Sequence, residues 1–249
     1  MVCIVKMLKK PRLHEPVLIE GLPGIGFVAN IAALHLIQEL KAKPFAEIRS
    51  SFFQDFAMTE EKGGVRFPIN ELYYYKGKEN ERDLIILYGN TQALTMMGQY
   101  ELCGRVLDIS EELGCRYVIT LGGLRREGEF TTPKIYCAAA DTESLKEALN
   151  LGAEIIEGKI FGIAGLLVGL CKLRDIRGFC LLAETLGIYP DAKAAHEALR
   201  AVCEMLHFKV DLRRLDVAAE ETRNILGSFG LFTPAKEKTE EESRSRGLI

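Results

Sequence analysis

The sequence predicts a single α/β domain with a mostly parallel central sheet flanked by helices. Continuous apolar runs, which are typical of buried parallel strands, alternate with segments in which apolar residues recur at helical spacing. Glycines follow several of these runs, as in Val17–Gly21, where a strand passes abruptly into a helix. No repeat and no break in composition divides residues 1–233, so we expect one domain. The same pattern is compatible with antiparallel strands at the edges of the central sheet.

The predicted strands are short runs bounded by turn residues. An edge strand followed by a turn is expected in the opening residues MVCIVKMLKKPRL. Val65–Tyr75 alternates with aromatic residues and is interpreted as a hairpin or an edge strand. Gly122–Gly123 is expected to end the strand before it. The other strands are predicted at Val17–Glu20, Phe45–Ser51, Asp83–Tyr88, Arg116–Leu121, Lys134–Ala139 and Arg177–Thr185.

The predicted helices begin at capping residues or after glycines. The first runs from Phe27 to Leu40, and Asp191–Phe208 has Asp191 as its N-cap. A short helix at Thr142–Leu149 has Thr142 in the N-cap position. The remaining helices are predicted at Tyr100–Leu113, in the run that follows Gly162 and Gly165, and at Leu212–Leu226.

Composition and charge argue against several classes of protein. The 249 residues carry a formal net charge of −3, so no basic surplus indicates a nucleic-acid partner. No apolar run reaches the roughly 20 residues of a membrane span, and the start of the chain does not match a signal peptide, so we expect a cytoplasmic protein. The seven cysteines include no C-x-x-C pair and the four histidines no metal-binding spacing, so we expect buried thiols and neither metal nor cofactor.

The turn after the first buried strand, GIGFVA at residues 24–29, fits the G-x-G-x-x-G/A pattern of dinucleotide-binding turns. Glu47 follows at roughly the distance of a ribose-binding acid. However, Pro23 lies inside the turn, and nothing downstream supplies a hydride-transfer site. We therefore interpret Gly24 and Gly26 as structural residues, needed for a positive φ or for close packing of the helix on the sheet.

A parallel sheet would gather the polar residues that follow its strands into one cleft. Their amide, guanidinium and carboxylate groups suit a small ligand, but the chain has no nucleophile elbow and no P-loop, and we assign no catalytic residue. A nucleoside- or nucleotide-binding protein or enzyme is the alternative function. The candidate cleft residues are Gly24, Gly26, Asn30, Gly122, Gly123, Arg125 and Glu184.

Two further regions are candidates for binding a partner. Aromatic and methionine residues in or next to predicted loops are either partly buried under those loops or contact another subunit. Pro234–Ile249 lacks periodicity and is predicted to be a disordered charged tail with an apolar tip, Leu248 and Ile249. The loop residues are Phe52, Phe53, Phe56, Met58, Met96 and Met97, of which Phe52 and Phe53 are the candidate partner-binding residues.

Five segments resemble the archaeal and bacterial relatives of the proteasome assembly chaperone family, in its second-subunit type. They are EGLPGIGFVAN at 20–30, TLGGL at 120–124, GIAGLL at 162–167, AETLGIYPDAKAAHEAL at 183–199 and VDLRRL at 210–215. Their order and spacing extend over nearly the whole predicted domain. The resemblance implies a phosphorylase-like α/β fold, no catalysis, and a homo-oligomer that helps proteasome α-type subunits to assemble.

The end of the chain departs from a motif that the resemblance implies. Some family members end in a hydrophobic residue, a tyrosine and any residue, which together dock into pockets between α-subunits. Here the last three residues are Gly247, Leu248 and Ile249, so leucine stands at the tyrosine position and glycine at the hydrophobic position. Docking by the folded body does not depend on this motif.

Overall fold

A computed structural model describes residues 3–228 apart from residues 60–61, 79 and 128–131, with side chains described as far as residue 221. The predicted tail, with Leu248 and Ile249, lies outside the described residues. The helices are α1 (Val28–Leu40), α2 (Met96–Glu112), α3 (Thr142–Asn150), α4 (Ile163–Leu173), α5 (Ala192–Leu206) and α6 (Arg213–Ser228). The strands are β1 (Cys3–Met7), β2 (Val17–Gly21), β3 (Lys43–Ser50), β4 (Met58–Thr59), β5 (Val65–Arg66), β6 (Asn70–Tyr75), β7 (Leu84–Gly89), β8 (Tyr117–Arg125), β9 (Ile135–Ala139), β10 (Glu154–Ile155) and β11 (Arg177–Thr185).

The described strands form a nine-stranded mixed sheet in the order β1-β3-β6-β7-β2-β8-β11-β9-β10, beside a small two-stranded sheet of β4 and β5. The four central strands, β7, β2, β8 and β11, run parallel to one another. Antiparallel strands flank them on both sides, since β6 pairs with β7 and β9 pairs with β11. The predicted α/β class is confirmed, and the central strands end at a common edge.

Helices cover both faces of the sheet and make a three-layer structure. On one face, Val17 and Ile19 of β2 belong to a core cluster with residues of α1, α3, α5 and α6. On the other face, Leu18 of the same strand packs in a second cluster with residues of α2 and α4. Both faces of β2 are therefore buried, which is why its sequence is a continuous apolar run interrupted only by Glu20.

Several predicted boundaries differ from those of the structure; α2, for example, begins at Met96 and not at Tyr100. Two of these differences have an identifiable physical reason. Strand β8 continues through Gly122 and Gly123 as far as Arg125, because it pairs with β11 along its whole length. Helix α3 is capped by Asp141 and not by Thr142, since the Asp141 carboxylate accepts hydrogen bonds from the backbone N–H groups of Glu143 and Ser144.

The segment predicted at Val65–Tyr75 divides into two strands with different partners. Val65–Arg66 pairs with Met58–Thr59 in the small sheet. Asn70–Tyr75 pairs with β3 on one side and β7 on the other, so it is not an edge strand. The edge-strand interpretation is correct for β1, which pairs only with β3 among the described strands.

The seven cysteines are all buried and unpaired, in agreement with their interpretation as small core residues. Among the described residues, no helix is both long enough and apolar enough to cross a membrane.

Candidate functional site

A backbone hydrogen bond at Gly26 joins the turn after β2 to Asp191, the N-cap residue of α5. Gly26 has a φ of +63°, and a Cβ added to it would lie 2.7 Å from the Thr185 hydroxyl oxygen. Its carbonyl accepts a hydrogen bond of 2.8 Å from the Asp191 N–H, while the Thr185 hydroxyl donates to the Asp191 carboxylate at 2.7 Å. Gly26 is therefore a structural residue that faces the β11–α5 connection.

Gly24, two residues earlier, has no such constraint. Its φ is −151°, which other residues also adopt, and an added Cβ would meet only Gln92 Nε2 at 3.9 Å. The prediction that the turn requires glycine is thus supported at Gly26 and wrong at Gly24.

A cleft of about 220 Å³ lies between the ends of β2 and β8, the turn, and the N-terminus of α4. We call it the glycine-lined cleft because Gly24, Gly122 and Gly123 all contribute to its lining. Gly122 leaves room beside Leu182, since a Cβ there would come within 2.7 Å of that side chain. Apolar walls are formed by Leu124, Ile156, Ile160 and Leu182, and the opening by Ile25, Arg125, Lys159 and Phe161.

Glu20 occupies the deep end of the glycine-lined cleft and is only 1% exposed. Its Oε1 accepts a hydrogen bond of 2.7 Å from the Leu22 N–H, whereas Oε2 has no hydrogen-bonding partner in the described structure. Burial raises the pKa of this carboxyl from an ordinary 4.5 to about 8, against the opposing effect of the Leu22 and Leu121 N–H groups. Burial therefore favours the protonated, neutral form of Glu20 at pH 7.

Glu20 is a cleft residue that was not predicted from the sequence. The available signal was a carboxylate in the middle of a strand that is otherwise apolar and buried on both faces.

Gln92 holds three elements together beside the glycine-lined cleft. Its Nε2 donates to the Pro23 carbonyl at 2.6 Å, and its Oε1 accepts from Gln99 Nε2 at 3.0 Å and from the Ile163 N–H at 3.2 Å. Through these bonds it joins the glycine turn, α2 and the first turn of α4. The N-cap residue of α4 is Gly162, which has no side chain to accept from the free N–H groups of the first turn. Gln92 Oε1 takes that role for the Ile163 N–H.

The structure brings together only part of the predicted cleft set. Gly24, Gly122, Gly123 and Arg125 line the glycine-lined cleft, although a binding role for them stays a prediction. Asn30 does not, because its Nδ2 donates to the Gly21 and Gly89 carbonyls at 3.2 and 2.8 Å and so joins β2 to β7.

Glu184 also lies outside the cleft lining. Its carboxylate accepts hydrogen bonds of 3.1 Å from the Lys134 N–H and the Tyr136 hydroxyl. It also lies 3.8 Å from the Arg126 guanidinium. Glu184 thus stabilises the β9–β11 side of the sheet.

Glu47 does not lie where a dinucleotide-binding turn requires its acid. It is on β3, which is separated from β2 by β6 and β7, and its carboxylate contacts Arg49 and Lys6. The ribose-binding acid of a dinucleotide site lies instead at the end of the strand next to the one before the turn. The arrangement supports the structural interpretation of the glycine turn.

The apolar loop residues separate into two groups. Phe53 is 6% exposed and belongs to the core cluster that includes residues of α2 and α4, whereas Phe52 is half-buried against that cluster. Phe53 is thus a core residue and partial burial describes Phe52 alone, while a partner-binding role for either residue stays a prediction. Met96 and Met97, at the start of α2, are 82% and 72% exposed. Phe56 and Met58 are also exposed.

These features define a three-layer α/β protein whose parallel strands end at a small, apolar-walled cleft with a buried acid at its floor. The chain belongs to the PAC2 family, whose family model matches residues 18–228. An uncharacterised protein of Methanocaldococcus jannaschii, MJ1210, is 31% identical over an alignment of 244 residues that covers 94% of this chain and 93% of the relative.

Two solved structures from Pyrococcus furiosus are similar to this chain. PbaB, an archaeal proteasome activator, has a TM-score of 0.87 and 38% identity, with 92% of this chain and 99% of PbaB covered. PbaA, an archaeal homolog of proteasome-assembly chaperone, has a TM-score of 0.73 and 27% identity, with 90% of this chain and 95% of PbaA covered.

Proposed function

We propose that this protein is a non-catalytic assembly chaperone that binds proteasome α-type subunits as a homo-oligomer in the cytoplasm. The observation that carries the proposal is the similarity to PbaB, a proteasome activator, over nearly the full length of both chains. The similarity to PbaA, a homolog of proteasome-assembly chaperone, supports the same class of partner.

An exposed apolar surface supports a role in binding protein. Leu94, Met96, Met97 and Tyr100 are all more than half exposed and lie together at the N-terminus of α2; we call them the α2 patch. Exposed clusters of large apolar side chains are typical of protein–protein contacts. Methionines suit such a surface because their flexible side chains adapt to a partner.

The absence of catalysis is supported by how the polar groups near the cleft are used. The side-chain amides of Gln92 and Asn30 donate hydrogen bonds to backbone carbonyls of neighbouring elements. The Glu184 carboxylate accepts hydrogen bonds from the Lys134 N–H and from the Tyr136 hydroxyl of β9. These side chains hold the fold together and are not available to a substrate.

The tail supplies a second, weaker anchor in this proposal. The Leu248 and Ile249 side chains enter a pocket between α-subunits, and a lysine there pairs with the terminal carboxylate. Each aliphatic side chain contributes about 1.5–3 kcal/mol if fully buried. Without the tyrosine, one tail binds weakly, and an oligomer compensates by presenting several tails at once.

The test compares three versions of the protein for surface binding to isolated rings of α-type subunits. They are the full chain, a chain that ends at Pro234, and a full-length control with Leu248→Ala and Ile249→Ala. We expect the full chain to bind and both altered chains to bind more weakly. Equal binding by all three would leave the folded body as the anchor, and no binding by any of them would contradict the proposed function.

A further inference from the structure

The glycine-lined cleft has an unsatisfied polar group at its floor that a chaperone role does not use. Glu20 Oε2 is buried without a hydrogen-bonding partner in the described structure, whereas native proteins pair the large majority of their buried polar atoms. Such an atom destabilises the fold until something donates to it or accepts from it. In the neutral form that burial favours, this carboxyl can do either.

The opening of the cleft carries two cations from different elements. Arg125 ends β8 and Lys159 lies in the connection before α4; both are exposed, and neither forms an ion pair with a described residue. The adjacent Arg126 is different, since it pairs with Glu184 and lies 5.2 Å from the centre of the Tyr136 ring. The N-terminus of α4 adds partial positive charge to the same opening.

The walls between floor and opening are apolar, and the volume limits what can enter. The side chains of Leu124, Ile156, Ile160 and Leu182 line this middle section. An apolar cavity of about 150 Å³ accepts a benzene ring. The 220 Å³ here therefore accommodates one ring with a short polar arm, and it is below the roughly 300 Å³ at which drug-sized ligands begin to fit.

We propose that the glycine-lined cleft binds a small aromatic acid that has a hydroxyl or N–H group at one end of the ring and a short-chain carboxylate at the other. The ring group hydrogen-bonds with Glu20 Oε2, the ring packs between Ile160 and Leu182, and the carboxylate is bound by Arg125 and Lys159. This inference does not rest on the proposed function, since the α2 patch shares no residue with the lining of the cleft.

Calorimetric titration of the full chain with 4-hydroxyphenylacetate tests the proposal. A ligand of this size is expected to bind with a Kd of about 1 mM or tighter. Phenylacetate lacks the hydroxyl, and tyramine has an amine in place of the carboxylate. We expect phenylacetate to bind about tenfold more weakly because Glu20 Oε2 stays unpartnered, and tyramine not to bind because two cations face its ammonium group.

Three variants locate the binding site. Arg125→Ala combined with Lys159→Ala should weaken binding of 4-hydroxyphenylacetate at least about tenfold, through loss of charge-assisted hydrogen bonds. Lys172→Ala, at the other end of α4, is the matched control and should leave binding unchanged. Gly24→Val adds a side chain to the cleft lining where the backbone tolerates it, and should block binding; circular dichroism confirms that each variant is folded.

Several outcomes would overturn the proposal. They are no saturable binding of 4-hydroxyphenylacetate below about 10 mM, equal affinity for tyramine, or wild-type affinity in the Arg125→Ala, Lys159→Ala variant. Tighter binding of adenosine monophosphate than of 4-hydroxyphenylacetate would likewise reject it and favour a nucleotide ligand. None of these results bears on binding to α-type subunits, so the failure of either proposal can be recognised separately.

Discussion

Gly24 and Gly26 lie in the same turn but differ in what a methyl group would meet. At Gly26 a side chain would require a left-handed backbone and would collide with Thr185. We expect Gly26→Ala to lower the free energy of unfolding by at least about 2 kcal/mol. Gly24→Ala should change it by no more than about 1 kcal/mol, in either direction. Urea unfolding of both variants checks this pair, and equal losses would show that the turn is constrained at both positions.

The buried carboxyl of Glu20 should make stability depend on pH. Because its pKa is about 8 in the native state and near 4.5 when exposed, the native state holds a proton that the unfolded chain releases between these pH values. The free energy of unfolding should therefore fall by a few kcal/mol as the pH rises from about 4.5 to 8, and this contribution then levels off.

Glu20→Gln removes the titrating group while keeping its shape. We expect its stability, relative to that of the wild type, to be higher near pH 8 than near pH 4.5, as measured by urea unfolding at both values. A constant difference between the two proteins at all pH values would show that Glu20 does not titrate in this range.

At the level of elements, Gln92 is the side chain that ties the glycine turn to α2 and α4. Gln92→Ala removes the hydrogen bonds that this side chain makes with the Ile163 N–H, the Pro23 carbonyl and Gln99 Nε2. Gln99 Nε2 keeps its hydrogen bond to the Ala93 carbonyl. Each lost hydrogen bond costs about 0.5–1.5 kcal/mol, so we expect a destabilisation of about 2–4 kcal/mol. Gln54→Ala, an exposed glutamine in a loop, should stay within about 0.5 kcal/mol of the wild type. If Gln92→Ala lowered the free energy of unfolding as little as Gln54→Ala, Gln92 would not be holding the glycine turn to α2 and α4.

The strand–turn–helix element should not bind a dinucleotide. The expected ribose-binding acid, Glu47, lies three strands away from the turn, and Gly26 faces Thr185. Calorimetry with NAD and with adenosine nucleotides should show no binding. Micromolar affinity for either would reject the structural interpretation of the glycines and revive the nucleotide-binding alternative.

At the level of the whole molecule, we expect the chain to self-associate through the α2 patch. Light scattering at micromolar concentration should give a mass well above the 27.8 kDa of one chain. Met96→Glu combined with Met97→Glu should shift the protein to the monomer, because burying two carboxylates in an interface is unfavourable while acids at a helix N-terminus are tolerated. Ile188→Glu, at an exposed position away from α2, is the control. A monomeric wild type would contradict the expectation.

The predictions that succeeded from sequence were those decided by near neighbours in the chain. A continuous apolar run marks β2 and β7 as buried strands, because both faces of a central parallel strand are covered. Asp191 was identifiable as the N-cap of α5, since its carboxylate accepts from Ala194 only three residues on. The resemblance to the proteasome assembly chaperone family also followed from ordered segments of the sequence.

The sequence by itself therefore determined the fold class and the positions of most elements, since local hydrogen bonding and hydrophobic periodicity depend on residues close in the chain. The tertiary structure decided which groups form the site. β8 continues through Gly122 because β11 pairs with it. Glu184 lies outside the cleft lining, where its carboxylate accepts a hydrogen bond from the Tyr136 hydroxyl. Glu20 Oε2 is buried without a hydrogen-bonding partner in the described structure, and Phe53 belongs to a core cluster with residues of α2 and α4. Packing between distant segments sets each of these environments, and no local pattern encodes it.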